Sequence, residues 1–268
     1  MNVEDLAIST MIKKQLFKKV DFQKEVEGKT VMDIGCGTGV LVPTLLECGA
    51  KPICIDIEER NIQYIKKHYK VDAFITNAEN VGDYVEARSV DIVVLSSVIE
   101  HFENPSVVLK QISEILKEGG ILFLTIDICG NTIKAIKKKS MEYVIQHAPD
   151  GDTDLHLKSQ FSSDYFYYYW DEKKVIPFLR NLSFSKTSIV YGGGIILDLL
   201  TILLMVLEKK TRKGSETCLT DHQYRLNTWP VKVYQKICVP FLSLIVLLSV
   251  KLNVNFDSSI CLIKAHKD

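Results

Sequence analysis

The sequence predicts an α/β fold in which a mostly parallel β-sheet is covered by helices on both faces. Several segments are apolar at consecutive rather than alternate positions, which is typical of strands that are buried on both sides. Helical segments separate them, and this alternation over residues 30–126 indicates a parallel sheet. The predicted strands are 30–35, 52–57, 72–77, 90–97 and 121–128, and the predicted helices are 40–49, 58–69 and 105–120.

The composition limits the partners and the compartment. The chain has 268 residues, with 33 Lys plus Arg and 33 Asp plus Glu, so its formal net charge is zero. A neutral chain lacks the basic surface on which nucleic-acid binding usually depends, so no nucleic-acid partner is predicted. The seven cysteines include no C-x-x-C pair, which favours reduced thiols in a cytoplasmic protein. Residues 1–20 lack a long apolar core and predict an amphipathic helix rather than a signal peptide.

The C-terminal half predicts two more strands with an apolar insertion between them. A helix at 171–182 and a strand at 184–192 are followed by the insertion, and a last strand occupies 258–268. We therefore divide the chain into a main domain, 1–191 plus 258–268, and a helical insertion, 192–257. The insertion has apolar runs at 195–207 and 237–250, each shorter than the roughly 20 residues of a membrane-spanning helix. Three interpretations of the insertion remain open: two buried helices that cover the domain, a helical hairpin at a membrane surface, and a pair of membrane-spanning helices.

Three glycines lie at and just after the end of the first predicted strand, in the segment VMDIGCGTG at residues 31–39. Because glycine lacks Cβ, a ligand can contact the main chain there, and the N–H groups at the start of the next helix are free to bind it. The order D-x-G-x-G-x-G differs from the dinucleotide pattern G-x-G-x-x-G, since Val40 stands where the third glycine would be. The carboxylate of Asp33 would repel a pyrophosphate, so a ligand with an amine-bearing or cationic end is expected.

This segment resembles the first motif of the class I S-adenosylmethionine (SAM)-dependent methyltransferases. The resemblance covers about residues 28–127 and implies a Rossmann-like fold with seven strands in the order 3-2-1-4-5-7-6, the last one antiparallel. It also implies that the glycine turn wraps the methionine part of SAM, that Asp33 places its amino group, that Asp56 holds both ribose hydroxyls and that Asn77 accepts from the adenine amino group. The full set of expected cofactor contacts is Asp33, Gly35, Cys36, Gly37, Asp56, Ile57, Asn77, Ala78 and Ser96.

The segment SSVIEHFENP, residues 96–105, resembles the acceptor side of small-molecule and lipid methyltransferases, including the ubiquinone-biosynthesis O-methyltransferases. It lacks the N/D-P-P-Y/F motif of the enzymes that methylate amino groups in DNA. Methyl transfer to a hydroxyl benefits from a base, and a histidine has a suitable pKa. His101 and His156 are the two candidates for this base. The alternatives are that His101 only forms part of the wall of the site and that His156 is a solvated loop residue.

A resident metal is not expected. The quinone-type enzymes have E-x-x-E-H in this segment, and here Ser97 replaces the first acid, leaving too few oxygen ligands for a hard cation. The prediction is therefore a SAM-dependent methyltransferase of a small or lipid-linked acceptor, most simply an O-methyltransferase. Carbon methylation of a lipid, a catalytically silent partner of a membrane-associated complex and an NAD-dependent oxidoreductase remain as alternatives. Residues 192–257 are the candidate contact with the inner face of a membrane, and the oligomeric state is undetermined.

Overall fold

The structure contains a seven-stranded sheet. The computed structural model describes residues 8–127, 172–193, 239–252 and 260–268. The strands are β1 Thr30–Ile34, β2 Lys51–Asp56, β3 Asp72–Ile75, β4 Val90–Ser96, β5 Leu116–Asp127, β6 Phe184–Gly192 and β7 Ile260–Lys267. The α-helices are α1 Ile8–Lys19, α2 Phe22–Val26, α3 Val42–Glu47, α4 Glu59–His68, α5 Pro105–Ile115, α6 Glu172–Asn181 and α7 Val239–Leu252. Two short 3-10 helices are η1 Ala78–Asp83 and η2 Ile99–His101.

The strand order is β3-β2-β1-β4-β5-β7-β6, which confirms the predicted topology. Four neighbouring pairs, β1–β2, β1–β4, β2–β3 and β4–β5, are parallel. In this register Asp33 of β1 lies beside Cys54 of β2 and Val94 of β4. The carboxyl ends of these strands therefore meet at one edge of the sheet, where an open α/β fold binds its ligands. The antiparallel direction of β7 stays a prediction.

The chain divides into two compact units. Of the described residues, the larger unit contains 17–126, 172–190 and 262–268, and the smaller contains 8–16, 127, 191–193, 239–252 and 260–261. In the larger unit, Val31 and Met32 on β1 and Val93 and Val94 on β4 are completely buried, as consecutive apolar positions predicted. The division of the sequence into a domain and an insertion at 192–257 stays a prediction.

The helix predicted at 105–120 ends five residues early. Helix α5 stops at Ile115, and β5 begins at Leu116, which pairs with Val90 before the register shifts. Gly119 and Gly120, the last two residues of the predicted helix, lie inside this irregular strand. Gly119 has a φ of 74°, and a Cβ on Gly120 would lie 2.8 Å from the Lys117 carbonyl oxygen. These glycines therefore permit a bulge in the strand rather than a helix end.

The smaller unit contains α7, which confirms a helix in the apolar run 237–250. Its Val246 and Val250 are buried, and a Cβ on Gly192 would lie 2.7 Å from Cγ2 of Val250 and 2.9 Å from Cγ2 of Ile12. The helix thus packs against bare main chain. Leu244, Leu247 and Leu248 are exposed. Across the ranges given above, no helix is long and apolar enough to cross a membrane. The run 195–207 lies outside the described residues.

An ion pair joins three strands at the amino edge of the sheet. Asp91 accepts the N–H of Thr30 at 2.9 Å and the Lys117 ammonium at 2.7 Å. Burial alone would raise the pKa of the Asp91 carboxyl, but the Lys117 and Thr30 hydrogen bonds outweigh it and hold the pKa below its ordinary value. The folded state therefore favours the ionised carboxylate.

We predict that Asp91→Asn lowers the free energy of unfolding at pH 7 by about 1–2 kcal/mol, because the charge-assisted bonds are weakened. Since the folded pKa is depressed, this contribution is present above the unfolded value of about 4 and is lost as the pH falls through the folded value. Urea titrations from pH 7 to pH 3 should show the difference between wild type and variant shrinking. Glu118→Gln, which affects an exposed pair with Arg88, should change stability by less than about 0.5 kcal/mol. An equal effect of both variants would contradict this assignment.

Candidate active site

The glycine turn connects β1 to α3 at the carboxyl edge of the sheet. The N–H groups of Gly35 and Cys36 both donate to the carbonyl oxygen of Ile55, at 2.7 and 3.1 Å. The N–H of Gly39 donates to the carbonyl oxygen of Cys36 at 3.0 Å. The turn is therefore fastened to the end of β2 by its own main chain.

The three glycines of this turn are needed for different reasons. All have positive φ, at 70°, 53° and 79° for Gly35, Gly37 and Gly39. A Cβ on Gly35 would lie 2.3 Å from Cγ2 of Val98, and one on Gly39 would lie 3.1 Å from Cγ1 of Ile65. A Cβ on Gly37 would meet no atom within 4 Å. Only Gly37 therefore faces open space, and the protein's own side chains fill the space at Gly35 and Gly39.

Two carboxylates flank the turn. Asp33, near the end of β1, is 2% exposed, and Asp56, the last residue of β2, is 8% exposed. Oδ2 of Asp56 accepts the N–H of Gly37 at 2.8 Å, and Oδ1 accepts the N–H of Glu58 at 2.8 Å. Each oxygen has a second acceptor site. Asp56 thus ties the glycine turn to the start of α4 and keeps lone pairs for a ligand.

The thiol of Cys36 belongs to the core beneath the turn. Cys36 is buried in a cluster of side chains consisting of Val42, Cys54, Ile62, Ile65 and Ala73. A hydrogen bond with Cys54, burial and the charges of Asp33 and Asp56 raise the pKa of the Cys36 thiol far above its ordinary value. The group is therefore a neutral thiol and not a nucleophile. Cys36 is one of the predicted cofactor contacts, and its side chain is buried in this cluster.

The next part of the edge follows β2 and β3. Ile57 is 67% exposed although it is a large apolar residue, and Ala78 is buried. Asn77 stands at the N-cap of η1, where its Oδ1 accepts the N–H of Glu79 at 3.0 Å. The amide oxygen expected to accept from a ligand therefore already has one protein donor, and its second lone pair remains.

A strained turn follows β4. Ser97 has a φ of 51°, which is unusual for a residue with a side chain. Its N–H donates to Oγ1 of the buried Thr125 at 2.9 Å and to the Thr125 carbonyl oxygen at 3.2 Å. This conformation places Val98 against Gly35, and η2 then carries the exposed His101. Sequence reasoning missed Val98 and Thr125, because only the fold brings them to this turn.

The structure thus brings most of the predicted residues to one edge. Asp33, Gly35, Gly37, Asp56 and Ser96 lie in the β1 turn or at the ends of β1, β2 and β4, with Ile57, Asn77 and Ala78 after β2 and β3. His101 follows β4, and His156 lies outside the described residues. Within the described part of the chain, no group of three or more His, Cys, Asp or Glu side chains could hold a metal ion.

This topology and site define a class of protein. A sheet of order 3-2-1-4-5-7-6 with a glycine turn after β1 and an acid at the end of β2 is the Rossmann-like class I methyltransferase fold. A family model described as "Methyltransferase domain" matches residues 10–162. Since that match covers more than half of the chain, the chain belongs to the methyltransferase-domain family.

Curated relatives match about half of the chain. The chain is 31% identical over 140 residues to a ubiquinone biosynthesis O-methyltransferase of Caulobacter vibrioides, covering 48% of this chain and 52% of that protein. It is 27% identical over 145 residues to the enzyme of the same name from Pelagibacter ubique, covering 52% and 58%. The chain thus spans a little more than half the length of the curated relatives it matches.

Solved structures support the fold alone, because their sequences are distant. A SAM-dependent methyltransferase from Archaeoglobus fulgidus superposes with a TM-score of 0.56 at 16% identity, covering 97% of this chain and 94% of that chain. A Haemonchus contortus phosphoethanolamine N-methyltransferase 2 in complex with S-adenosyl-L-methionine gives 0.55 at 16% identity, covering 95% and 52%.

We predict that Gly35→Ala destabilises the fold by about 2–4 kcal/mol, because it adds a left-handed alanine and a clash with Val98. Gly37→Ala adds only the backbone strain and should lower the free energy of unfolding by about 1–2 kcal/mol. Chemical denaturation of both variants measures the difference. Adding Val98→Ala should recover part of the loss in the Gly35 variant and none in the Gly37 variant. Equal losses for the two glycine variants, with no recovery, would contradict the contact.

Proposed function

We propose that this protein transfers a methyl group from SAM to a small or lipid-linked acceptor, most simply to a hydroxyl. The observation that carries the proposal is the open space at Gly37, in a turn that follows the buried Asp33 and is bonded to the buried Asp56, on the fold of the family to which the chain belongs. The names of the quinone-type relatives support oxygen as the accepting atom. A quinone precursor, a polyprenyl-linked sugar or a similar amphiphile fits this class of acceptor.

The residues at the edge fit the parts of SAM. Asp33 would hold the amino group of the methionine part, because a buried carboxylate favours a cationic partner. Asp56 would accept both ribose hydroxyls through its remaining lone pairs, with its orientation fixed in advance by the N–H groups of Gly37 and Glu58. Ile57 offers an exposed apolar surface to a ring, and Asn77 and Ala78 would meet the polar edge of adenine.

The chemistry of the bound donor is a methyl group made electrophilic by a sulfonium. What remains for the protein is to orient the acceptor, to exclude water and to accept a proton if the acceptor is a hydroxyl. His101 is the residue we assign to the proton, because it belongs to η2, which follows the carboxyl end of β4, and an imidazole is a suitable acceptor for a proton near neutral pH. His156 is the second candidate for the same role.

Binding of the product-side ligand S-adenosylhomocysteine tests the cofactor assignment. It should raise the Tm of the wild-type protein, whereas NAD should leave the Tm unchanged. Asp56→Asn should weaken the binding measured by calorimetry by about 1.5–3 kcal/mol, because it removes charge-assisted acceptors. The Tm of the ligand-free variant, measured in parallel, separates this loss from damage to the turn. No binding to the wild type would refute the proposal.

Transfer of a labelled methyl group tests the activity itself. Incubation with labelled SAM and separated lipid and polar fractions of cells should give one labelled product class with a labile or ether-linked methyl group. His101→Ala should lower the single-turnover rate by about 100-fold or more while keeping the affinity for S-adenosylhomocysteine. Binding without transfer to any fraction would indicate a silent cofactor-binding partner, and label on lipid carbon would indicate carbon methylation.

Contact with a membrane surface through residues 192–257 is the finer part of the proposal. The support is α7, on which Leu244, Leu247 and Leu248 are exposed, with the exposed Lys251 one turn further along the same face. An apolar face with a terminal lysine suits a surface of anionic lipid, since the leucines enter the acyl region and the ammonium reaches the head groups. The expected location is the cytoplasmic face of a membrane.

Co-sedimentation with vesicles of phosphatidylglycerol and phosphatidylcholine tests this contact. Replacing both Leu247 and Leu248 with Glu should reduce the bound fraction at least about tenfold, because two exposed apolar side chains that would enter the acyl region are lost. Leu46→Glu alters an exposed leucine of α3 and should leave vesicle binding unchanged. Equal binding of all three proteins would contradict the assignment of α7.

A further inference from the structure

Glu79 links the start of η1 to the start of α5. Its Oε1 accepts the main-chain N–H of Asn104 at 3.1 Å and the side-chain amide of Asn104 at 3.2 Å, and its Oε2 accepts the same amide at 3.4 Å. One carboxylate thus binds both the backbone and the side chain of one residue. Such a contact fixes position and orientation together.

Asn104 occupies the N-cap position of α5 but makes no side-chain cap of its own helix. The N–H groups of Val107 and Val108 donate to its carbonyl oxygen at 2.9 and 3.3 Å, so the helix begins there. In a capping box, a glutamate of the same helix accepts the N–H of the N-cap residue. Here Glu79, from a different element, accepts that N–H. Where α5 begins therefore depends on η1.

A second contact holds the same two elements together. The N–H of Gly82 in η1 donates to Oε1 of Gln111 in α5 at 2.9 Å. Asn104 and Gln111 are seven residues apart and lie on the same face of the helix. Two separate contacts restrain η1 relative to α5 more than one contact would. The position of Glu79 relative to Asn104 is therefore fixed.

The segment between β4 and α5 carries His101 and is held at both ends. At its first end, Ser97 is bonded to Thr125 and Val98 is packed on Gly35. At its second end, Asn104 is bonded to Glu79. The intervening residues include the single turn of η2, in which the N–H of His101 donates to the Val98 carbonyl oxygen and the N–H of Phe102 to the Ile99 carbonyl oxygen. So short a turn depends on its fixed ends for its conformation.

We propose that Glu79 is a positioning residue that holds the segment 99–104, and with it His101, at the ligand edge. It touches no reacting atom in this assignment and acts through Asn104. Its main-chain N–H is bonded to Asn77, a predicted adenine contact, so the same residue joins the cofactor side of the site to the acceptor side. The catalytic consequence rests on the proposed function, whereas the positioning role does not.

Hydrogen–deuterium exchange of the ligand-free full chain tests the positioning directly. In Glu79→Ala, the amides of His101 and Phe102 should exchange about tenfold faster or more, while amides of β1 and β4 keep their wild-type rates. Glu79→Gln should be intermediate, because its amide oxygen can still accept from Asn104. Asn104→Ala should have a smaller effect than Glu79→Ala, because its main-chain N–H can still donate to Glu79. Adding Asn104→Ala to Glu79→Ala should change the exchange rates no further. Glu86→Gln, an exposed acid in the loop before β4, is the charge-matched control.

Turnover supplies a second readout. Glu79→Ala should keep the affinity for S-adenosylhomocysteine within about twofold while kcat in the labelled-methyl assay falls about tenfold, a split that general destabilisation would not give. Unchanged exchange at His101 and Phe102 in Glu79→Ala overturns the positioning role, and so does faster exchange spread evenly over the whole sheet. Failure of the wild type to bind S-adenosylhomocysteine refutes the proposed function instead, since the exchange experiment needs no ligand.

Discussion

The contact between Val98 and the bare main chain of Gly35 is the constraint on which the rest of the site depends. A Cβ at Gly35 would lie 2.3 Å from Val98, so the loops after β1 and β4 can be this close only with glycine at that position. The contact needs the left-handed conformation of Ser97, and that conformation is held by Thr125. Strain of this kind persists where the surroundings over-determine it, and here it occurs at the ligand edge.

The electrostatic arrangement follows from the same geometry. Once the turn is held against β4 and β2, Asp56 can reach the N–H of Gly37 with one oxygen and the N–H of Glu58 with the other. The carboxylate is thereby oriented before any ligand arrives, and pre-organisation of this kind lowers the cost of binding. Asp33 is buried on the neighbouring strand. Backbone sterics therefore determine where the two negative charges lie.

The sequence predicted the sheet well because its strands are apolar on both faces, as the burial of Val31, Met32 and Val93 shows. It predicted the site only in part. The pattern of three glycines indicated a close approach to the main chain, but it did not indicate that Val98 and Ile65 are the neighbours at Gly35 and Gly39. Such contacts join residues far apart in the chain, and a local pattern carries no information about them. The bulge at Gly119 was mistaken for a helix end for the same reason, since strand pairing decides it.

The burial of the Cys36 thiol beneath the glycine turn affects its reactivity with alkylating agents. Thiolates react readily with alkylating agents, and thiols that remain protonated do not. With its proton retained and its sulfur turned inward beside Cys54, Cys36 is a poor target for such reagents. In a protein that binds a sulfonium, as we propose, this arrangement allows a cysteine to lie close to a methylating agent without being alkylated.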